Sequence, residues 1–185
     1  MFDRVTRRYD LANHLLSFGR DFSWRRRAAE IVAGWNPACV LDLATGSGDL
    51  ALVIQRKLST VQVVGLDFSN AMLALARRKG VRYLIAGDAV QLPLANQSFD
   101  VVTVAFGLRN MRDWGEALRE IFASALIADE RKAYQYLGAS IENFPSGAAM
   151  CDLIEANGFK NAVAEPLTGG IVTIYTAQSA GQSRA

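Results

Sequence analysis

Short apolar runs alternate with helically periodic stretches through the middle of the chain. Four apolar runs are predicted to be buried strands, at residues 39–43, 61–66, 81–85 and 99–106. Helical periodicity follows three of them, at residues 50–58, 71–79 and 114–128. Strands that are apolar on both faces are covered on both faces. The alternation therefore predicts an α/β, Rossmann-like fold, whose mostly parallel sheet carries helices on both sides.

The two ends of the chain add elements of a different kind. The pattern predicts one domain in three parts: an N-terminal helical lid at 1–35, a core at 36–177 and a disordered tail at 178–185. The core closes with a helix at 150–157 and an antiparallel hairpin of strands at 161–165 and 171–177. Such a hairpin suits the edge of a sheet.

Composition narrows the functional classes. The 185 residues are 51% hydrophobic and 21% charged, which is typical of a soluble globular domain. A net charge of +2 is too small to favour nucleic acid as the partner. Cys39 and Cys151 are too far apart in sequence for a metal or redox motif, so we expect free thiols and no metal. Since neither a membrane-spanning run nor a signal peptide is evident, we expect a cytoplasmic protein.

The loop at residues 42–49 carries the main functional signal, because it joins a buried strand to a helix where open α/β sheets bind ligands. Gly46 and Gly48 allow a ligand to approach the backbone, although a purely structural tight turn remains an alternative. Asp67 ends the second strand, where a carboxylate can accept hydrogen bonds from ribose hydroxyls. Asp88 follows the third strand and can accept from an adenine amino group. The three strand ends together predict a nucleotide-like ligand.

The charges near this loop favour one kind of nucleotide. The third glycine of the dinucleotide fingerprint is missing, and Asp42 and Asp49 flank the turn. These carboxylates disfavour a pyrophosphate and favour a ligand with a cationic centre and a free amino group. S-adenosylmethionine has both, whereas an NAD-linked oxidoreductase becomes a distant alternative.

Residues 42–49, 65–69 and 87–89 resemble the class I S-adenosylmethionine methyltransferases. A narrower resemblance is carried by residues 2–10, 105–110, 136–145 and 167–172, which are similar to the C-methyltransferases of menaquinone and ubiquinone biosynthesis. The candidate cofactor contacts are Asp42, Thr45, Gly46, Ser47, Gly48, Asp67, Phe68, Met72, Asp88, Ala89 and Ala105. The resemblance implies methyl transfer to a ring carbon of a polyprenyl quinol, with a naphthoquinol, a benzoquinol or both as acceptor.

The resemblance also implies catalytic candidates, which are Arg109, Asn110, Asp49 and Tyr9. Arginine is almost always protonated, so we expect Arg109 to stabilise a phenolate and Asp49 or water to accept its proton. His14, the only histidine, is better explained as a surface or capping residue. The alternatives left open are a methyltransferase acting on another small molecule and a non-catalytic member of the fold.

The resemblance breaks at one place. Members of the family continue after the helix at 117–121 with a fifth parallel strand, whereas this sequence passes almost directly to residues that match the far side of that segment. We therefore expect a missing segment near 121–124, either omitted from the sequence or deleted from the protein. Peripheral contact with the inner face of the membrane, with Arg25, Arg26 and Arg27 at anionic headgroups, and a homodimer also remain open.

Overall fold

The computed structural model describes residues 21–111, 113–124, 133–139 and 144–179, the third range by its backbone alone. The helices of this part are α1 (Asp21–Gly34), α2 (Asp49–Lys57), α3 (Asn70–Lys79), α4 (Trp114–Ser124) and α5 (Ala148–Ala156). Its strands are β1 (Cys39–Leu43), β2 (Gln62–Asp67), β3 (Tyr83–Ala86), β4 (Val101–Ala105), β5 (Ala133–Ala139), β6 (Phe159–Leu167) and β7 (Val172–Ser179). Single 3₁₀ turns occupy Leu108–Asn110 and Thr168–Gly170.

All seven strands form one sheet, in the order β3-β2-β1-β4-β5-β7-β6. The first five strands of this order are parallel, and β7 runs antiparallel to both of its neighbours. The predicted α/β fold class is confirmed, including the C-terminal antiparallel hairpin. The predicted strand at 39–43 matches β1 residue for residue, and the other strand boundaries differ by a few residues.

The apolar residues of the central strands point alternately to two cores. Leu41 and Leu43 of β1 join the core covered by α4 and α5, whereas Val40 joins the core covered by α1, α2 and α3. All three side chains are fully buried. This double burial explains why the strands are almost continuously apolar in sequence.

Caps fix the helix ends that border the loops. The Ser69 hydroxyl accepts a hydrogen bond from Met72 N–H at 3.4 Å and begins α3. Asn157 is the C-cap of α5, one residue before the predicted Gly158, and Gly158 follows it with φ +103°, a conformation that glycine adopts without strain. At the end of α4 the carbonyls of Ala123 and Ser124 accept from backbone N–H groups at residues 97–99, and the Ser124 hydroxyl donates to the Ile121 carbonyl at 2.9 Å.

The fifth position of the sheet is filled. Ala133–Ala139 form β5, which pairs with β4 on one side and with β7 on the other. No strand edge is therefore left unpaired there, contrary to what the loss of a strand near residues 121–124 implied. Whether a segment is absent near 121–124 stays a prediction.

The two ends of the chain are described in part. Helix α1 lies within the predicted helical region 1–35, and residues 1–20 are outside the described part. Strand β7 continues through Gln178 and Ser179, so the predicted start of a disordered tail at residue 178 is wrong for these two residues. Within the described residues, no helix combines the length and apolar character needed to cross a membrane.

Candidate active site

The strand order reverses between β1 and β4, which places a crevice at the carboxyl ends of these two strands. Asp42 of β1 and Thr103 of β4 lie opposite each other in register. Asp42 accepts hydrogen bonds from the hydroxyls of Thr103 at 2.7 Å and Thr45 at 2.6 Å. Because the carboxyl is only 1% exposed, its desolvation raises the pKa of Asp42 to about 6 against the opposing hydrogen bonds. Through its bond with Thr45, Asp42 thus holds the first loop against the ends of β1 and β4.

The two glycines of the first loop have different surroundings. A Cβ at Gly46, where φ is +56°, would meet no atom of the described residues within 4 Å, so this residue faces open space in that part of the chain. A Cβ at Gly48, where φ is +81°, would lie 2.5 Å from Val81 Cγ2 and 2.9 Å from Ala76 Cβ. The packing of the loop against α3 therefore requires Gly48. The sequence interpretation assigned both glycines to ligand approach, and the geometry supports this only for Gly46.

Asp67 connects the ends of β1 and β2. Its two carboxylate oxygens accept from Gly46 N–H at 2.8 Å and from Ser69 N–H at 2.9 Å. A carboxylate oxygen has a second lone pair, so ribose hydroxyls can still be accepted. Phe68 beside it is 68% exposed, and Asp88, beyond β3, is also exposed. The arrangement fits a ligand that carries a vicinal diol.

Asp49 begins α2 and lies in a cluster of charges. Its carboxylate is 2.8 Å from Lys79 Nζ and 3.7 Å from Arg25 Nη2. Lys79 also donates to the Ser47 hydroxyl at 2.8 Å, and Arg25 pairs with Asp21. The electrostatic argument against a pyrophosphate is therefore weaker than the sequence indicated, because two cations offset the charge of Asp49 and Asp42 is buried.

The loop after β4 brings a further cation beside the first loop. A Cβ at Gly107 would lie 2.6 Å from Ala44 Cβ, so the two loops pack in direct contact. Arg109 and Asn110 follow in the 3₁₀ turn, and the Asn110 side-chain amide donates to the Phe106 carbonyl at 3.4 Å. Arg109 is half-buried and Asn110 is exposed. The structure thus places the turn that carries these two predicted catalytic residues next to the first loop.

Helix α1 borders this crevice. Trp24 Nε1 donates to the Thr168 hydroxyl at 2.8 Å, and the Trp24 ring lies 6.4 Å from the ring of Phe106. Arg27 forms a two-pronged ion pair with Glu165, which holds the pKa of that carboxyl below its usual value. Because Arg25 is buried and Arg27 is paired, the three consecutive arginines do not form a free basic face. Tyr9 and His14, the other predicted candidates from this end, lie outside the described residues.

The sequence matches the model of the ubiE/COQ5 methyltransferase family over residues 1–125 and 122–179. The chain belongs to this family. The two matched stretches overlap at residues 122–125.

Two relatives show how far the similarity of this methyltransferase extends. The demethylmenaquinone methyltransferase of Thermus thermophilus is 38% identical, with 95% of this chain and 98% of that protein covered. The ubiquinone/menaquinone biosynthesis C-methyltransferase of Geotalea daltonii is 34% identical, with 96% and 94% covered. Among solved structures, a SAM-dependent methyltransferase from Thermotoga maritima has a TM-score of 0.76 at 17% identity, with 97% and 98% covered, which establishes a shared fold.

Three polar contacts in this family member were missed by the sequence analysis. Thr103 is a polar residue within an apolar strand, and this exception was the signal that could have identified it. Lys79 lies in the basic last turn of α3, where sequence alone does not separate a solvated side chain from an ion-paired one. The Trp24–Thr168 bond joins residues 144 positions apart, so no local pattern reveals it.

Proposed function

We propose that this chain transfers a methyl group from S-adenosylmethionine to a ring carbon of a polyprenyl quinol, namely demethylmenaquinol, the benzoquinol of ubiquinone biosynthesis, or both. The observation that carries the proposal is the contact of the Gly107 loop with the first loop at Ala44, which brings Arg109 to the crevice of a methyltransferase-family protein. The names of the relatives from Thermus thermophilus and Geotalea daltonii support a quinone-pathway acceptor.

The cofactor residues follow from the three strand ends. S-adenosylmethionine, when bound, supplies a methyl group that its sulfonium makes electrophilic. Asp67 would accept hydrogen bonds from the ribose hydroxyls, Asp88 would accept one from the adenine amino group, and Gly46 would leave room for the ligand beside the backbone. The other candidates carried over from the sequence are Asp42, Thr45, Ser47, Gly48, Phe68, Met72, Ala89 and Ala105, of which Gly48 packs against the protein and not toward open space.

The catalytic roles follow from the charges around the acceptor. A quinol ring carbon becomes a good nucleophile when the neighbouring hydroxyl loses its proton. Arg109 stabilises the resulting phenolate, because a guanidinium stays protonated and donates in a fixed fork. Asp49 accepts the proton directly or through water, and Asn110 and Tyr9 are further candidates for holding the acceptor. Holding the acceptor in line with the methyl group supplies much of the rate.

In this proposal the carboxyl ends of the parallel strands, where the crevice lies, also face the lipid. Phe22 on α1, Phe68 after β2 and Ile171 before β7 are large apolar side chains, each at least 60% exposed. Each lies at the carboxyl ends of the parallel strands, where the crevice opens. A polyprenyl acceptor resides in a membrane, so contact of this edge with the lipid surface shortens the path to the site. A homodimer stays a prediction.

We further propose that the chain lacks a segment carried by its relatives. The alignment with the Thermus thermophilus protein is 217 positions long, although 95% of a 185-residue chain is only about 176 residues. The two family matches meet at residues 122–125, beside the expected junction at 121–124. An intact mass of 20.1 kDa for the natural protein would place the deletion in the protein itself. A larger mass would mean that the sequence omits the segment.

The proposed activity is tested with the purified protein, isotopically labelled S-adenosylmethionine and two reduced acceptors, a short-chain demethylmenaquinol and the corresponding benzoquinol. We expect label on a ring carbon of at least one acceptor. Label on oxygen, or on neither acceptor, contradicts the proposal and favours another substrate or a non-catalytic role. Calorimetry is expected to show binding of S-adenosylmethionine, and tighter binding of NADH would exclude the proposed cofactor.

Removal of the Arg109 charge tests its role. We expect Arg109→Ala to bind S-adenosylmethionine like the wild type and to lose about 100-fold or more in turnover, as when one donor to a developing oxyanion is removed. Arg82→Ala, at an exposed arginine ahead of β3, serves as the control and is expected to keep wild-type turnover. Full turnover by Arg109→Ala would show that another group stabilises the acceptor.

A further inference from the structure

Phe106 has a backbone conformation that is costly for an aromatic residue. Its φ is +59°, in the left-handed region that bulky side chains rarely adopt. Residues held in such conformations cluster at functional sites, where the surrounding structure compensates the strain. The compensation here is visible, because the Asn110 amide donates to the Phe106 carbonyl and the next residue, Gly107, packs against Ala44. The backbone thus fixes the direction of the Phe106 ring.

The ring of Phe106 contacts two other side chains. The guanidinium carbon of Arg109 lies over the ring, 5.5 Å from its centroid, within the range of a cation–π contact. The Trp24 ring is 6.4 Å away, tilted by 54°. Trp24 is itself fixed by its hydrogen bond to Thr168. The aromatic pair therefore supports Arg109 from the direction of α1.

Arg109 has hydrogen-bonding capacity that the protein does not use. Its Nε is buried and has no hydrogen-bond partner among the described residues. Within the same residues Arg109 has no ion pair, whereas Arg25 and Arg27 both pair with carboxylates. A buried donor without a partner is costly, and such a donor is expected where a ligand will supply the acceptor.

We infer that Phe106 is a positioning residue, which holds the Arg109 guanidinium through its π face and so leaves the N–H groups free for an anionic oxygen of the acceptor. This inference rests on the proposed function of Arg109. A carboxylate in the place of Phe106 would orient the guanidinium equally well, but it would occupy the same N–H groups and offset the charge. An aromatic ring orients the cation without either effect.

The test compares Phe106→Leu with Phe106→Tyr, because both variants keep a side chain at the left-handed backbone position and only Tyr keeps the π face. With labelled S-adenosylmethionine and a short-chain demethylmenaquinol, we expect Phe106→Leu to lower kcat about 10-fold with little change in the KM for S-adenosylmethionine. We expect Phe106→Tyr to stay within about twofold of the wild type. Equal losses in both variants would overturn the inference.

A double-mutant cycle separates positioning from general packing. If Phe106 acts through Arg109, adding Phe106→Leu to Arg109→Ala lowers kcat no further. An additional loss of about 10-fold in the double variant, equal to that of Phe106→Leu alone, would show that Phe106 acts independently of Arg109 and would overturn the inference. Thermal unfolding of all variants identifies any that fail to fold. If Phe106→Leu is among them, the turnover of Phe106→Tyr decides, and a value outside about twofold of the wild type would overturn the inference.

A second readout does not depend on turnover. 4-Nitrophenol is used as the probe, and the pKa of the bound phenol is read from its absorbance. We expect the wild type and Phe106→Tyr to favour the bound phenolate about 10-fold more than Phe106→Leu does. The same bound pKa in all three proteins would overturn the inference. If the probe behaves as expected while no quinol is methylated, the positioning role stands and the proposed acceptor is wrong.

Discussion

At the scale of single residues, the crevice depends on carboxylates whose surroundings set their roles. Asp42 is buried between two threonine hydroxyls, Asp67 binds two backbone N–H groups, and Asp49 is paired with Lys79. These three carboxylates therefore have different roles. Among the described residues Asp67 is bonded by neutral backbone donors, which leaves its charge available to a diol. Because Asp42 is buried, its ionisation costs free energy, and the stability of the protein therefore depends on pH.

The buried Asp42 predicts a pH-dependent stability. Its pKa is about 6 in the folded chain against an ordinary value of 3.8, so folding favours the protonated form. Its contribution to stability is complete below pH 4 and is lost as the pH rises through about 6, a loss of roughly 3 kcal/mol. Asp42→Asn removes this dependence. We expect the free energy of unfolding of the variant, minus that of the wild type, to increase by up to this amount between pH 4 and pH 7.5.

Urea unfolding at the two pH values measures the Asp42 effect. Asp88→Asn is the matched control, because Asp88 is exposed and stays hydrated in both states. We expect the difference between this control and the wild type to stay nearly constant with pH. A pH-independent difference for Asp42→Asn would mean that the buried carboxyl is already accommodated in its charged form.

The glycines of the first loop predict opposite effects on stability and on binding. Gly48→Ala places a methyl group against Val81 and Ala76 in a left-handed conformation, so we expect a loss of more than about 2 kcal/mol in unfolding free energy. Gly46→Ala faces open space and should cost only about 1 kcal/mol of backbone strain. Its methyl group enters the crevice, however, so Gly46→Ala should weaken S-adenosylmethionine binding more. Thermal unfolding compares the stability of the two variants, and calorimetry compares their affinity for S-adenosylmethionine. If one variant loses more of both, the separate roles given to Gly46 and Gly48 are wrong.

At the scale of elements, the sequence predicted what local patterns encode. The alternation of apolar runs located β1 to β4, because burial on both faces leaves a continuous apolar signature, and Ser69 marked the start of α3. The candidate site residues come from positions where residue type and place in the fold coincide, Asp67 at the end of β2 and Arg109 after β4, and their roles stay predictions. The hydrogen bonds of α1 with Thr168 and Glu165 were not predictable, since they join residues more than 100 positions apart. The placement of Ala133–Ala139 as the interior strand β5 also depends on pairing that only the tertiary structure defines.

Two contacts fasten α1 to the β6–β7 turn, and they differ in expected strength. Trp24 is buried and donates to Thr168, whereas Arg27 and Glu165 are both exposed to solvent. We expect Trp24→Phe, which keeps a ring and loses the donor, to cost about 1 kcal/mol and to speed amide hydrogen exchange in α1. Glu165→Gln should cost less than about 0.5 kcal/mol, because exposed ion pairs contribute little. A larger effect of Glu165→Gln would show that the ion pair, and not the indole, holds the helix.

At the scale of the whole molecule, one edge of the sheet combines the crevice with exposed apolar groups. The net charge of +2 gives only weak attraction to anionic lipid, and Arg25 and Arg27 are engaged by carboxylates. Among the described residues, we therefore expect apolar side chains to contribute most to any membrane contact. Phe22 and Ile171 lie on neighbouring elements, since α1 and the turn before β7 are joined through Trp24 and Thr168.

This geometry predicts that replacing Phe22 and Ile171 together by serine weakens binding to phospholipid vesicles by at least about 10-fold, because burying one large apolar side chain contributes about 1.5–3 kcal/mol. Val163→Ser is the control, since Val163 is equally exposed but lies within the edge strand β6, away from the crevice. Co-sedimentation with vesicles measures the binding. Turnover of a short-chain quinol in detergent should stay unchanged in both variants, because neither changes the loops that hold the cofactor and Arg109. Equal vesicle binding by all three proteins would mean that this edge does not contact lipid, and that the acceptor reaches the crevice by another route.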